Sequence, residues 1–290
     1  MIRKALAFSD KQKSRKWALI LAYFFLVLFI IFFLFPPFYM LVTSLKTNEE
    51  ISSLKGIPFI INQGVTLFHY KNLLQATLFL TYFKNTAIVT LCVVSISMTI
   101  SILAAYSLAR LRFFGSAVLA TGVFLTYLVP ETLLFIPLFK IVGGLGLLNS
   151  KWSLVLVFPT IATPFCTWIM IGYFGSIPKE LDEAALIDGA NWYQMLLRVF
   201  VPVAMPGIIA ATIFAFTVSW AGFLYPLAFI YSNEELVLTV GTVTTLIRGD
   251  VMHWGGLMAG ALLAAAPPVI IYAFLMDYYI SGLTAGAVKD

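Results

Sequence analysis

WALILAYFFLVLFIIFFLFPPFYMLV, residues 17–42, runs without a single charged side chain. A bilayer core of about 30 Å is crossed by roughly 20 helical residues and penalises any charge buried within them. The stretch follows a basic leader, but it is much longer than the apolar core of a secretory signal and lacks a small-residue cleavage site. It reads as a retained membrane helix. Five further apolar segments follow, at residues 85–109, 113–139, 152–174, 206–231 and 255–276. Backbone groups in lipid must pair internally, so each is expected to be helical, and the alternation of an outer-membrane barrel is absent. With 61% hydrophobic residues, 11% charged residues and a mean hydropathy of +0.97, a water-soluble domain is excluded. The expected fold class is an all-α membrane protein of six transmembrane helices.

The net charge of +5 would raise nucleic-acid binding in a soluble chain, but here the cations cluster at the ends of apolar runs, where they set topology. Arg3, Lys4, Lys11, Lys13, Arg15 and Lys16 precede the first span, and Arg110 and Arg112 occupy the short loop after the second. Both places should be cytoplasmic, and six spans then return the C-terminus to the same side. Residues 1–16 read as a basic leader and residues 17–290 as a membrane domain. Residues 43–84, 143–151 and 232–254 face outward in this scheme. One sizeable polar loop, residues 175–202, faces inward.

That loop carries Glu180, Asp182, Glu183, Asp188 and Arg198. Ser176-Ile177-Pro178 suits a helix start, with the three acidic residues near the positive end of the dipole and the helix ending near Ile187. Asp188-Gly189-Ala190 makes an elbow. Asn191 and Gln194 then have the spacing of a capping box for a second helix, which Pro202 and Pro206 interrupt. Ala184 and Ala185 present little side chain and would allow another protein close, while Gly189 permits a bend that a Cβ obstructs. An amphipathic helix merely resting on lipid headgroups fits the same local physics.

Glu183-Ala184-Ala185, Gly189 after three residues, and Val199-Phe200-Val201-Pro202 after nine more together resemble the EAA loop of binding-protein-dependent ABC importer permeases. The family pattern ends in isoleucine, any residue, leucine and proline, and this chain has valine at both aliphatic positions. The closing segment, residues 281–290, resembles the tail of the carbohydrate (MalG-like) branch. The resemblance implies a type I permease: half of a translocation pathway for a sugar or related solute. It implies as partners a second homologous permease, two copies of an ABC ATPase subunit gripping the EAA loop, and an extracytoplasmic solute-binding protein, in a cell membrane. It also implies that Glu183, Ala184, Ala185, Asp188, Gly189 and Pro202 serve ATPase coupling. The chain itself would be non-catalytic, with no cofactor of its own and with ATP and Mg on the partner subunits. In agreement, no G-x-x-x-x-G-K phosphate loop is present.

Glu131 is the one carboxylate inside the third span, between Pro130 and Pro137, which should open the helix locally. With Tyr127 and Trp220 it is a candidate for the solute pathway, where a carboxylate accepts hydrogen bonds from sugar hydroxyls and aromatic faces stack on sugar rings. Aromatic residues are equally ordinary belt anchors. His69 and His253 stand alone, and Cys92 and Cys166 lie in separate apolar segments, so no metal site is expected. A stand-alone secondary transporter would call for inverted repeats, paired broken helices and several coupling carboxylates. A membrane-embedded enzyme would call for a His, Asp or Ser constellation. Neither pattern is evident.

Overall fold

The computed structural model describes residues 2–53, 57–111, 113–248 and 251–285, with side chains described within residues 16–53, 57–111, 113–247 and 252–276. The chain falls into two compact units, Met1–Gln75 with Val251–Leu262, and Ala76–Asp250 with Leu263–Asp290.

In the first unit, α1 (Ile2–Ser44) continues the first span backward through the basic leader and forward through Pro36 and Pro37. Residues 17–39 of its apolar stretch are exposed throughout, with Phe32 and Phe33 at 71% and 67%. Only a hydrocarbon solvent or another apolar chain makes such a surface tolerable. Beyond it lie α2 (Asn48–Ser52) and α3 (Phe68–Ala76), joined by a segment that is held by polar contacts. Lys46 and Glu50 pair at 3.3 Å with both side chains nearly fully buried. The Glu50 carboxylate also accepts the amides of Asn62 and Gln63, and Lys46 Nζ donates to the Ile57 carbonyl. The Asn62 amide, opposed by desolvation and reinforced by Gln63 and Lys46, holds Glu50 below the ordinary carboxylate range. His69 is buried with Nε2 2.9 Å from the Lys46 carbonyl, and its ring fills the space that a Cβ on Gly255 would need. The isolated histidine of the sequence is therefore a packing residue.

The second unit is built on α4 (Phe79–Arg110), which packs along α7 (Trp152–Ser176) and α11 (Met205–Trp220). Ala105, Ala162, Ala211 and Ala215 are fully buried where these helices meet, and small side chains there let backbones approach closely, as membrane helices require. Cys166 is buried among them, and Cys92 is also a free thiol, as expected of small hydrophobes. Several hydroxyls inside the spans fold back onto their own helix, as Thr86 Oγ1 does to the Tyr82 carbonyl at 3.0 Å, while Ser101 Oγ crosses to the Thr163 carbonyl.

The third span departs from the expected single helix. It consists of α5 (Ser116–Tyr127) and α6 (Glu131–Gly144), bent by 95° across three residues. Pro130 caps α6 with extended backbone, and the residue before a proline is itself driven out of the helical region. Pro137 stays inside α6 without breaking it, so only one of the two prolines opens the chain. Among the described residues, five helices are long and apolar enough to cross a membrane, and the bent pair, counted as one span, makes a sixth.

After α7 come α8 (Glu180–Ile187), α9 (Trp192–Met195), a π-helical turn at Leu196–Phe200 and α10 (Val201–Val203). Beyond α11 the chain forms α12 (Leu224–Phe229) and α13 (Leu238–Leu246), and α14 (Trp254–Ala285) supplies the last span. Of the closing segment 281–290, residues 286–290 and the side chains of residues 281–285 lie outside the described residues.

At the end of α4 away from Arg110, side chains pin the loops to the bundle. Asn85 Nδ2 donates to the carbonyls of Glu234 and Leu236 at 2.8 and 2.9 Å, while Thr86 Oγ1 accepts the Leu238 amide. Asn149 holds a left-handed backbone, φ 59°, that asparagine tolerates, and its Oδ1 accepts the amides of Tyr231 and Ser232. Glu235 accepts both the amide and the ammonium of Lys151. Burial by itself would raise the Glu235 carboxyl, but the Lys151 amide, hydrogen-bonded ammonium and charge outweigh it and hold the group below its usual 4.5. A depressed folded pKa adds stability above that usual value and loses it as pH falls through the lower folded value. Glu235→Gln should therefore lower the melting temperature in detergent at pH 7 by the equivalent of less than about 1 kcal/mol. The difference from wild type should shrink as the pH is taken below about 4.5, and a gap that persists unchanged in acid would remove the charge from the account.

Candidate functional site

The polar loop folds as a bent pair of short helices. α8 begins at Glu180, two residues later than Pro178 suggested, with Lys179 in the cap position and Glu180, Asp182 and Glu183 in the first turn. Negative charge is stabilising there. Asp188 ends the helix, and Gly189 turns the chain with φ +77°. Asn191 and Gln194 complete the reciprocal capping box: Asn191 Oδ1 accepts the Gln194 amide at 2.9 Å, and Gln194 Oε1 accepts the Asn191 amide at 3.0 Å. Pro202 lacks the N–H that an α-helix needs and crowds the carbonyl one turn back. The preceding turn is widened, so that the Val201 amide bonds the Leu196 carbonyl.

The two alanines have separate roles. Ala184 is exposed with Glu183, whereas Ala185 is buried in the same core as Tyr106, Phe174, Met195 and Phe200. Of the two only Ala184 is exposed, because residues i and i+1 of a helix face different directions. The outer face gains what Ala185 does not supply: Leu186 and Ile187 are 61% and 87% exposed. Small and apolar side chains thus sit beside a carboxylate on a protruding helix.

Among the described residues, nothing beyond its own chain neighbours lies within 4 Å of where a Gly189 Cβ would be. The glycine is required by backbone conformation and not by space, since left-handed backbone costs about 1–2 kcal/mol for most residues and less for asparagine. Gly189→Asn should keep thermal stability close to wild type, whereas Gly189→Val should lower it. Equal behaviour of the two variants would show that the turn does not depend on φ.

The end of α4 meets this loop through Arg110, whose side chain is only 8% exposed. Its Nη2 donates to the Ile177 carbonyl, its Nη1 lies 3.6 Å from Asp182 Oδ2, and its guanidinium stands 4.7 Å over the Phe200 ring. One turn earlier, Tyr106 packs on Phe174 and Phe200 and directs its hydroxyl to Met195 Sδ at 3.5 Å. Sequence reading placed Arg110 as a topology charge. The available signal for more was its position at a helix end facing a loop rich in carboxylates.

A second feature lies at the break of the third span. Glu131, Phe158, Thr217, Gly222, Phe223 and Tyr225 border a cavity of about 250 Å³. Tyr225 donates its hydroxyl to the Glu131 backbone carbonyl at 2.9 Å, fixing the first turn of α6, while the Glu131 side chain remains exposed. Thr217 is also hydrogen-bonded to Tyr272. Tyr127, the last residue of α5, directly precedes the break, its ring tilted by 31° against Phe165 at 4.7 Å in a cluster with Phe214. Trp220 does not border the cavity. Its ring is buried against Phe216 and Phe83, and its Nε1 donates to the Ala264 carbonyl at 3.1 Å. Among the described residues, no three His, Cys, Asp or Glu side chains converge as metal ligands.

Residues 97–284 match the family model described as binding-protein-dependent transport system inner membrane component. The chain is 37% identical over 266 residues to the inner membrane ABC transporter permease protein YcjP of Escherichia coli K12, covering 91% of this chain and 94% of that one. It is 33% identical to the diacetylchitobiose uptake system permease protein DasC of Streptomyces coelicolor, with 88% and 91% covered. It is 31% identical to the trehalose/maltose transport system permease protein MalG of Thermococcus litoralis, with 91% and 94% covered. In fold it is similar to a chain of a bacterial ABC transporter involved in the import of the acidic polysaccharide alginate, with a TM-score of 0.78 at 23% identity over 90% of this chain and 95% of that one.

Proposed function

The chain belongs to the family of binding-protein-dependent transport system inner membrane components, as a non-catalytic permease subunit of an ABC importer in the inner membrane, and from that premise we propose how its residues serve import and what it carries. The single observation that carries the proposal is the protruding helix α8, whose outer face of Glu183, Ala184, Leu186 and Ile187 is uncovered by the chain itself. An ATPase subunit docks on that face, with Asp188 and Gly189 setting the elbow, Ala185 seating the helix on the bundle and Pro202 ending its second limb. Two such ATPase subunits bind and hydrolyse ATP with Mg, a second permease completes the pathway, and a binding protein delivers solute from outside. Both termini of this chain lie in the cytoplasm.

The solute is a carbohydrate. Permeases of diacetylchitobiose and of trehalose/maltose uptake systems are among the relatives, which supports that class. Glu131 and the hydroxyl groups around its cavity suit a solute rich in hydrogen-bond donors, and the carboxylate disfavours an anionic one. Tyr127 flanks the same pathway, while Trp220 supports it from within the wall. Replacing a charged acceptor by a neutral one forfeits roughly 1–1.5 kcal/mol per hydrogen bond, about tenfold in affinity. Glu131→Gln should thus lower uptake of a neutral sugar by about tenfold and leave the ATPase associated. The reading as a whole is tested in proteoliposomes holding the complete complex and binding protein, where uptake should follow ATP hydrolysis. Uptake by this chain alone, driven by an ion gradient, would replace it with a secondary transporter.

A further inference from the structure

We propose that Arg110 and Asp182 form a positioning latch that fixes α8 to the end of α4, so that displacement of the docked helix is carried into the bundle and not absorbed by the loop. The latch rests on the docking of an ATPase at α8. Three separate pieces of chain converge on one guanidinium: the Ile177 carbonyl before α8, Asp182 in its first turn, and the Phe200 ring in the second limb beyond the elbow. Arginine is the side chain suited to this, since its planar fork bonds in two directions while its face lies on an aromatic ring. A helix tethered only by its flanking backbone would pivot at Gly189 and at the extended residue Ile177 when pulled. The guanidinium spans both pivots.

The contact is also incompletely satisfied. Among the described residues, Arg110 Nε and Asp182 Oδ1 are buried without a hydrogen-bond partner, and the ion-pair distance from Arg110 Nη1 to Asp182 Oδ2, 3.6 Å, exceeds an ordinary charge-assisted bond by several tenths of an ångström. Buried polar atoms left unpaired are rare and call for an explanation. A small movement of α8 toward α4 would let the fork close on the carboxylate, pairing the atoms that are idle here. The latch therefore has an open and a tighter setting. Binding at α8 can shift the pair between them without unfolding either helix. Removing one partner of such a pair leaves the other charge buried and free, which loosens the connection.

The decisive measurement is solute molecules imported per ATP hydrolysed by the complete reconstituted complex, together with recovery of the ATPase on purification. Asp182→Asn keeps the shape and removes the attraction. It should leave ATPase recovery and ATP hydrolysis within about twofold of wild type while import per ATP falls about tenfold. Asp182→Glu should bring import per ATP back to within about threefold of wild type. Unchanged import per ATP in Asp182→Asn would overturn the latch, and so would a loss of hydrolysis and import in equal proportion, or a failure of that variant to assemble. Failure of wild-type chain to retain an ATPase would instead overturn the docking of α8, so the two ideas fail separately.

Discussion

Replacing Leu186 and Ile187 together by aspartate should abolish retention of the ATPase and reduce uptake at least a hundredfold, while the permease still melts at its wild-type temperature. The two side chains lie 61% and 87% exposed on α8 and contribute little to the fold of the chain. Once covered by a partner, each apolar side chain of this size contributes about 1.5–3 kcal/mol, and a carboxylate in its place adds an unpaired polar group to the interface. The sum of roughly 3–6 kcal/mol corresponds to a factor of about 10² to 10⁴ in affinity. Pull-down from mild detergent reads the association directly. Were the ATPase to remain bound and uptake to continue, α8 would be resting on lipid headgroups, which tolerate new polar groups on a surface helix far better than a packed interface does.

The opposite pattern is expected at Gly241, which lies on α13 against α4. A Cβ there would stand 2.5–2.7 Å from the Tyr82 ring, closer than side chains approach. Tyr82 cannot swing aside freely, because it is 2% exposed and its hydroxyl is 3.0 Å from Thr245 Oγ1. Gly241→Ala should lower stability by about 1–3 kcal/mol through overpacking, and Gly241→Leu should prevent recovery of folded protein. Thermal unfolding in detergent measures the first and yield after size exclusion the second. Gly144→Ala serves as the control, since its Cβ would meet nothing within 4 Å and should change little. If Tyr82 is the obstacle, Tyr82→Ala and Gly241→Ala combined should destabilise by less than the sum of the two single changes.

The two experiments separate the surface that works from the packing that holds it. On α8, consecutive residues divide between these tasks: Ala184 and Ile187 face outward, and Ala185 anchors the helix to Phe174 and Phe200. The elbow at Gly189 can turn because nothing crowds it, and Arg110 limits how far. In the docking role proposed for α8, few contacts suffice to hold the helix because each joins a different part of the chain.

Much of this was written in local sequence. Apolar length against bilayer thickness gave the six spans, since each such segment must satisfy its backbone within itself wherever its neighbours lie. The Asn191 and Gln194 capping box, the turn at Gly189 and a local opening at Pro130 depend on residues a few positions apart and were legible for that reason, whereas Pro137, read in the same way, does not break α6. The direction of the break, which side of α8 the core would cover, and the burial of Trp220 depend on partners far away in sequence, as Trp220 does on Phe83, and no spacing rule reaches them. Arg110 is the clearest case: the chain alone shows a positive charge at a helix end, and only the folded structure brings a carbonyl, a carboxylate and an aromatic face to it at once. Local chemistry determined the elements and their ends. The long-range packing of small, aromatic and charged side chains decided which of them touch, because those contacts exist only once distant segments share the same few ångströms.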